Sequence, residues 1–135
     1  MPKERTTPEA AAAAFGVGHI RRHLFVCAGP DCAPSEAGAA TWDYVKRRMK
    51  ELDLTGPSGP AYRTKCACLR ICTGGPIAVV YPEGIWYRNV TPENAERIIQ
   101  EHVIHGRPVP DLAFARNPLF ATGSVPRVSS FDENR

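Results

Sequence analysis

Four of the five cysteines in this 135-residue chain form two short clusters, Cys27-x4-Cys32 and Cys68-x3-Cys72, with 35 residues between them. A thiolate is a soft anionic ligand. Four of them serve either one tetrahedral zinc ion or one [2Fe–2S] core, which takes two ligands on each iron. Both spacings lie within or near the range used by structural zinc, so spacing leaves the two metals open. Other thiol chemistries fit less well. A dithiol redox site wants C-x-x-C, and no such pair occurs. Rieske ligation needs a histidine beside a cysteine in each cluster. Neither that pattern nor the plant-type ferredoxin spacing C-x4-C-x2-C is present. An odd cysteine count without a visible export signal argues against a disulfide framework.

The elements around the clusters explain how two distant loops meet. His23-Leu24-Phe25-Val26-Cys27 is a short apolar run. It reads as a buried strand ending at the first cysteine. Ser35 stands where an N-cap is expected. A helix should follow from Glu36 to about Asp53, with Trp42, Val45, Met49 and Leu52 as its apolar face. Thr55 to Pro60 carries two Gly and two Pro and is a turn. Ala61 to Lys65 reads as a second strand leading into Cys66, and Cys66 to Gly75 forms the second cysteine loop. Ile77 to Tyr81 is a β-branched run expected to be a central strand. It turns through Pro82-Glu83-Gly84 into Ile85-Trp86-Tyr87 as a hairpin. Thr91 caps a second helix with Pro92 at its first position. Its apolar stripe is Ala95, Ile98, Ile99, His102 and Val103, and Gly106 is its stop.

The expected fold class is therefore α/β, two main helices against a small mixed sheet of about four strands. Each cysteine cluster leaves the end of a strand, so both loops can aim sulfur at one volume. Gly29, Gly74 and Gly75 allow close backbone approach and leave amides to face sulfur. Pro30, Pro34 and Pro76 stiffen the loops. The expected organisation is a flexible segment over 1–20, the metal-binding domain over 21–106, and an extended tail over 107–135. Leu112, Phe114, Leu119 and Phe120 anchor that tail.

Composition excludes several classes. Hydrophobic residues at 43% and charged residues at 23% describe an ordinary globular chain. No run of 18 apolar residues exists, so no membrane partner is expected. The alanine run Ala10 to Ala14, preceded by Glu4 and Glu9, is a poor leader, and the cytoplasm is the expected location. A net charge of +3 without a recognisable module argues against nucleic acid. The basic run Lys46, Arg47, Arg48 and Lys50 reads as a solvated helix face or as a docking patch for an acidic partner. No Gly-rich phosphate loop or base-assisted nucleophile is present, so no bond-making active site is expected.

Three stretches carry a resemblance: Leu24-Phe25-Val26-Cys27-Ala28-Gly29-Pro30-Asp31-Cys32, Cys68-Leu69-Arg70-Ile71-Cys72-Thr73-Gly74-Gly75-Pro76, and Val79-Val80-Tyr81-Pro82-Glu83-Gly84-Ile85-Trp86-Tyr87. On these, His23 to His105 resembles the thioredoxin-like [2Fe–2S] ferredoxins. It is also similar to the small [2Fe–2S] subunit of NADH dehydrogenase and bidirectional hydrogenases. The resemblance implies a thioredoxin-like fold and a [2Fe–2S] cluster near the surface held by Cys27, Cys32, Cys68 and Cys72. It also implies one-electron transfer between redox partner proteins and a capacity to form homodimers. Cys27-x4-Cys32 is closer to the subunit-type pattern, whereas the absence of a helical domain ahead of the first strand favours a free carrier. The alternatives are a partner-binding structural or regulatory metal-cluster module, or the [2Fe–2S] subunit of a larger oxidoreductase.

Cys66, two residues before Cys68, competes for its place. The loop pattern of the resemblance favours Cys68 and leaves Cys66 as a small buried group or a reserve ligand. His102 and His105 are expected in the last helical turn, where a cation suits the dipole. Trp86 and Tyr87 are expected in hairpin packing. Lys65 and Arg70 flank the second cluster loop and would ease reduction of a dianionic core.

Overall fold

The structure, a computed structural model, describes residues 7–30 and 33–119. Five strands form one mixed sheet in the order β2-β1-β3-β4-β5. β1 (Arg22–Cys27) runs parallel to β2 (Ala61–Cys66). α2 (Ser35–Glu51) is the crossover that a parallel pair requires. β3 (Ala78–Tyr81) lies antiparallel to β1 at the centre of the sheet and turns into β4 (Ile85–Tyr87). α3 (Pro92–Arg97) follows, capped by the Thr91 hydroxyl accepting from the Asn94 amide, and continues as a π-helical segment, Ile98–Ile104. α1 (Pro8–Ala14) precedes the sheet.

Period-two alternation assigns the faces. Leu24, Val26, Ala78, Val80, Ile85 and Tyr87 point to the side that α2 and α3 cover. On the other side His23 stacks on Phe25 with ring centroids 4.1 Å apart, and Tyr62 and Tyr81 close around them edge-on. These outer rings stay half-buried.

Four features depart from the sequence expectations. Pro34, not Ser35, is the N-cap of α2 and makes no side-chain cap bond; Ser35 is already in the first turn. The buried face of α2 is Gly38, Thr41, Val45 and Met49, which leaves Trp42 at its rim. Thr41 is tolerated there because its hydroxyl donates to the Val90 carbonyl at 2.6 Å, so no buried polar atom is left unmatched on it. Ala113–Arg116, expected in the tail, pairs with β4 as a fifth strand, β5. Pro8–Ala14, expected within the flexible segment, is helical because Thr7 caps it, Pro8 fits its first turn and five alanines follow. Phe120 lies outside the described residues.

His102 is fully buried, so the dipole reading does not hold for it. Burial pushes its pKa down and the ring stays neutral, although Glu83 opposes that shift. The proton positions follow from Glu83, which only accepts. His102 Nε2 donates to Glu83 Oε1 at 3.0 Å. Its Nδ1 accepts from the Tyr87 hydroxyl at 2.8 Å. That hydroxyl in turn accepts from the Val109 amide at 3.1 Å. Arg22 grips Glu83 through two bonds of 3.0 and 2.9 Å. The chain of bonds ties β1, the hairpin turn, β4, the π-helical segment and the segment before β5.

A second clamp joins the helices: Glu96 accepts from Arg48, Tyr44 and Gln100. The Arg48 guanidinium foremost holds its carboxyl at about 2 against a usual 4.5.

Two outcomes follow. Tyr87→Phe strands the Val109 amide and His102 Nδ1 in the interior and should lower unfolding stability by about 2 kcal/mol in denaturant titration. For Glu96 the depressed pKa means that the clamp acts in full above pH 4.5 and is lost as pH falls toward about 2. Acid unfolding followed by circular dichroism should therefore be shallower in Glu96→Gln, which starts from lower stability at neutral pH.

Candidate metal centre

The two cysteine loops meet because β1 and β2 are parallel and end together. Cys27 is the register partner of Cys66, so both chains leave the sheet at one edge, side by side. The Cys27 amide donates to the Ile77 carbonyl at 2.8 Å and the Ala28 amide to the Cys66 carbonyl at 2.9 Å, which carries sheet pairing into the loops.

Gly29 then brings the loops into contact. A Cβ at this position would overlap the Ala67 carbonyl oxygen, so no side chain fits. Gly38 of α2 does the same from the other side: its Cβ would meet the Ala28 backbone at 3.0 Å. The first loop is thus gripped between the second loop and the crossover helix by two missing side chains. Gly74 plays a different part from the close approach expected of it. Its Cβ position opens into space, and its φ of +72° is what a side chain would resist.

Cys68 and Cys72 face each other with their Sγ atoms 3.9 Å apart. Two thiolates on one tetrahedral metal at about 2.3 Å stand about 3.8 Å apart, so the pair already has the bite of a shared ion. Arg70 (φ +74°) and Cys72 (φ +62°) hold left-handed backbone that non-glycine residues rarely adopt. This curls the loop around the pair and aims the Arg70 amide at Cys68 Sγ, 3.2 Å away. Beyond it, the Asn89 amide donates to Gly74 and the Val90 amide to Pro76, which pin the loop's far end.

Cys27 is buried, and its Sγ lies 3.8 Å from the Ala67 carbonyl, beside the residue that precedes Cys68. Cys32 lies outside the described residues. Among the described residues no three His, Cys, Asp or Glu side chains form a site for a single metal ion. Of the four expected ligands, the structure therefore brings Cys68 and Cys72 into direct partnership and sets Cys27 at the adjoining strand end.

Cys66 behaves differently. Its thiol donates to the Val26 carbonyl at 3.4 Å, and burial foremost, with Cys27 and Cys68 nearby, pushes its pKa up. His23, half-buried, is bonded to the Thr64 hydroxyl at 2.7 Å and stays remote from metal chemistry.

The site's polarity runs from inside to outside. Cys27 is 2% exposed, whereas Cys72 and its neighbour Ile71 are at the surface. A crevice of about 200 Å³ beside the second loop is lined by Ile71, Ile77, Arg88 and Phe114. A wider cleft of about 420 Å³ lies against both loops and α2, between Gly29, Cys66 and Ala67 on one side and Trp42, Lys46 and Lys65 on the other. Neither wall is legible in the sequence, because β5 supplies Phe114 and the rotation of α2 supplies Trp42.

Comparison with known proteins settles the family. The chain is 35% identical over 96 residues to a 2Fe-2S ferredoxin of Clostridium pasteurianum, an alignment covering 68% of this chain and 94% of that protein. The chain belongs to the [2Fe–2S] ferredoxin family. A second relative, from Priestia megaterium and also named as a 2Fe-2S ferredoxin, is 34% identical over 92 residues, 68% of each chain. The solved thioredoxin-like [2Fe-2S] ferredoxin of Aquifex aeolicus superposes with a TM-score of 0.61 at 26% identity, covering 78% of this chain and 98% of that one. The family's fold is thus the thioredoxin-like arrangement described above. No protein-family model matches the chain.

The glycine seam can be tested directly. Gly29→Ala forces its methyl group onto the Ala67 carbonyl and should cost about 2 kcal/mol of unfolding stability. A denaturation midpoint equal to that of the native chain would show that the loops do not touch there.

Proposed function

We propose that this chain holds one [2Fe–2S] cluster through Cys27, Cys32, Cys68 and Cys72 and carries single electrons between redox partner proteins. The observation that carries the reading is the Cys68–Cys72 sulfur pair, 3.9 Å apart, in a loop that backbone contact fastens to the end of the Cys27 strand. The donor set fits the group: soft thiolates, two of them at the separation one tetrahedral ion requires. When bound, such a cluster supplies reversible one-electron chemistry without making or breaking bonds in a substrate.

The chain's own residues shape that role. The Arg70 amide donates to Cys68 Sγ and favours negative charge on it. Exposed Cys72 and Ile71 give a partner access, while backbone bonds on both sides of the loops limit their movement. Membership of the ferredoxin family makes the chain a carrier and not an enzyme.

Three further readings accompany this one. The cluster-holding unit is 21–106, flanked by 1–20 and 107–135, which contribute α1 and β5 respectively. The compartment is the reducing cytoplasm, since metal ligation needs these cysteines as thiolates. No helix among the described residues is long and apolar enough to cross a membrane. Two copies pair over the half-buried aromatic outer face of the sheet, Phe25, Tyr62 and Tyr81. A monomer at micromolar concentration in sedimentation equilibrium would remove the last.

Iron and acid-labile sulfide analysis of anaerobically purified protein should give about two of each per chain. The visible absorption should bleach with dithionite, and the reduced protein should show an EPR signal. Stoichiometric zinc in a colourless protein would overturn the proposal. Cys68→Ser should lose or alter the visible spectrum, whereas Cys66→Ser should leave it nearly intact. The reverse pattern would make Cys66 the ligand.

A further inference from the structure

We propose that the face formed by α2 and β2 beside the cysteine loops is the docking surface for an acidic patch on the electron-exchanging partner protein, an inference that rests on the carrier reading above. The cleft against the loops contains Lys46 and Lys65. It runs directly into a groove along α2 that contains Arg47, Lys50 and Arg63. Asp43 and Lys46 line both, so the two form one continuous surface with five cations and a single carboxylate. With Glu51, the partner of Arg47, counted as well, the excess equals the net charge of +3 carried by the whole chain. The positive charge is therefore concentrated on this face.

Ion pairing adds a second observation. Away from this face Arg22 is held by Glu83, Arg48 by Glu96, Arg97 by Asp111 and Arg107 by Glu101, while Arg21, Arg70, Arg88 and Arg116 are scattered and meet no carboxylate within ion-pair range among the described residues. On this face only Arg47 has such a partner among the described residues, Glu51. Lys46, Lys50 and Lys65 are exposed and meet no carboxylate within ion-pair range among the described residues. Arg63 is half-buried, and its Nε lacks an acceptor among the described residues. Lys46 and Arg63 both lie over the Trp42 ring, at 5.8 and 5.7 Å. The ring's negative face attracts both cations and holds them at the cleft rim.

The physical reason for an acidic occupant is charge complementarity beside an anionic centre. A dianionic cluster would repel carboxylates brought toward it. Lys46 and Lys65 line the same cleft as Cys66 and Gly29 and offset that repulsion where the partner must come closest. The remaining cations extend the attraction along α2 and steer the encounter.

The test is stopped-flow transfer from dithionite-reduced holoprotein to cytochrome b5, an acidic haem protein, across a range of ionic strength. The native rate should fall as salt rises. The double variant Lys46→Glu with Lys65→Glu should be slower by about tenfold at low salt and lose that dependence. The pair Lys46→Gln with Lys65→Gln should show a smaller drop in the same direction. Arg116→Glu, on β5, should match the native rate. Transfer to basic cytochrome c should not be slowed by any of these changes. The docking proposal is overturned if the loaded double variant reacts with cytochrome b5 like the native protein. It is overturned equally if only ferricyanide, a small anion, is slowed. A preparation with no bleachable visible band would instead sink the carrier reading itself, so the two failures are distinguishable.

Discussion

Everything at this site depends on backbone touching backbone where side chains are missing. Parallel pairing of β1 with β2 delivers Cys27 and Cys66 to the same sheet edge, but parallel strands alone leave their loops to diverge. Gly29 against the Ala67 carbonyl closes that gap, and Gly38 against Ala28 stops the first loop from swinging outward. Neither contact contributes much apolar burial. Their effect is geometric: they remove the freedom that would otherwise have to be given up when four thiolates are drawn onto one small core. A site organised before loading loses less conformational entropy on binding.

A buried network on the helix-covered side of the sheet supplies the stiffness. Arg22, Glu83, His102, Tyr87 and the Val109 amide form a chain in which every buried donor has an acceptor. Such networks are costly if broken and rigid when complete. The cysteine end, by contrast, is built from loops held at their margins by backbone bonds to Ile77, Cys66, Gly74 and Pro76. This division suits a protein whose redox states must share one shape while one edge remains open to a partner. The network runs the length of the strands, from Arg22 and Glu83 at the hairpin turn to Tyr87, whose register partner Ala78 lies opposite Val26.

Some of this is legible in the residues and some is not, for physical reasons. The strand of β1 ending at Cys27, the central β3, the hairpin at Pro82-Glu83-Gly84 and the Thr91 cap are local signals: apolar runs, turn formers and a capping hydroxyl beside a proline. They survive because neighbours in sequence decide them. The departures are tertiary. On α2 Val45 and Met49 are buried as expected, but Thr41 takes the place expected of Trp42 because Thr41 looks polar and Trp42 apolar, and only the Val90 carbonyl across the interface reverses that preference. β5 escapes notice because Ala113-Phe114-Ala115-Arg116 carries no strand signal until the edge of β4 offers it a ladder. Gly29 and Gly74 look alike in sequence, yet one is required by a carbonyl occupying the place of its absent Cβ and the other by its own φ. His102 falls in the apolar stripe of its helix, but the reading of it as a cation suited to the helix end fails because nothing near it in sequence reveals Tyr87 and Glu83.

The orientation of α2 couples organisation of the centre to the charge of its surroundings. With about 100° between successive residues, fixing Gly38 on Ala28 fixes every other position on the helix. Thr41, Val45 and Met49 follow Gly38 inward, Trp42 is left at the rim, and Lys46, one turn further on, must stand over the cleft beside the cysteine loops. Arg47 and Lys50 then line the outer groove. A rotation of one residue would bury Lys46 and Lys50 in one direction or Arg48 in the other, and at once withdraw the glycine that lets the first loop sit close. The same packing choice that holds Cys27 near Cys68 therefore also sets a positive field beside them. An anionic centre at a loop edge and a cationic helix flank arise together from one helix seated on one backbone.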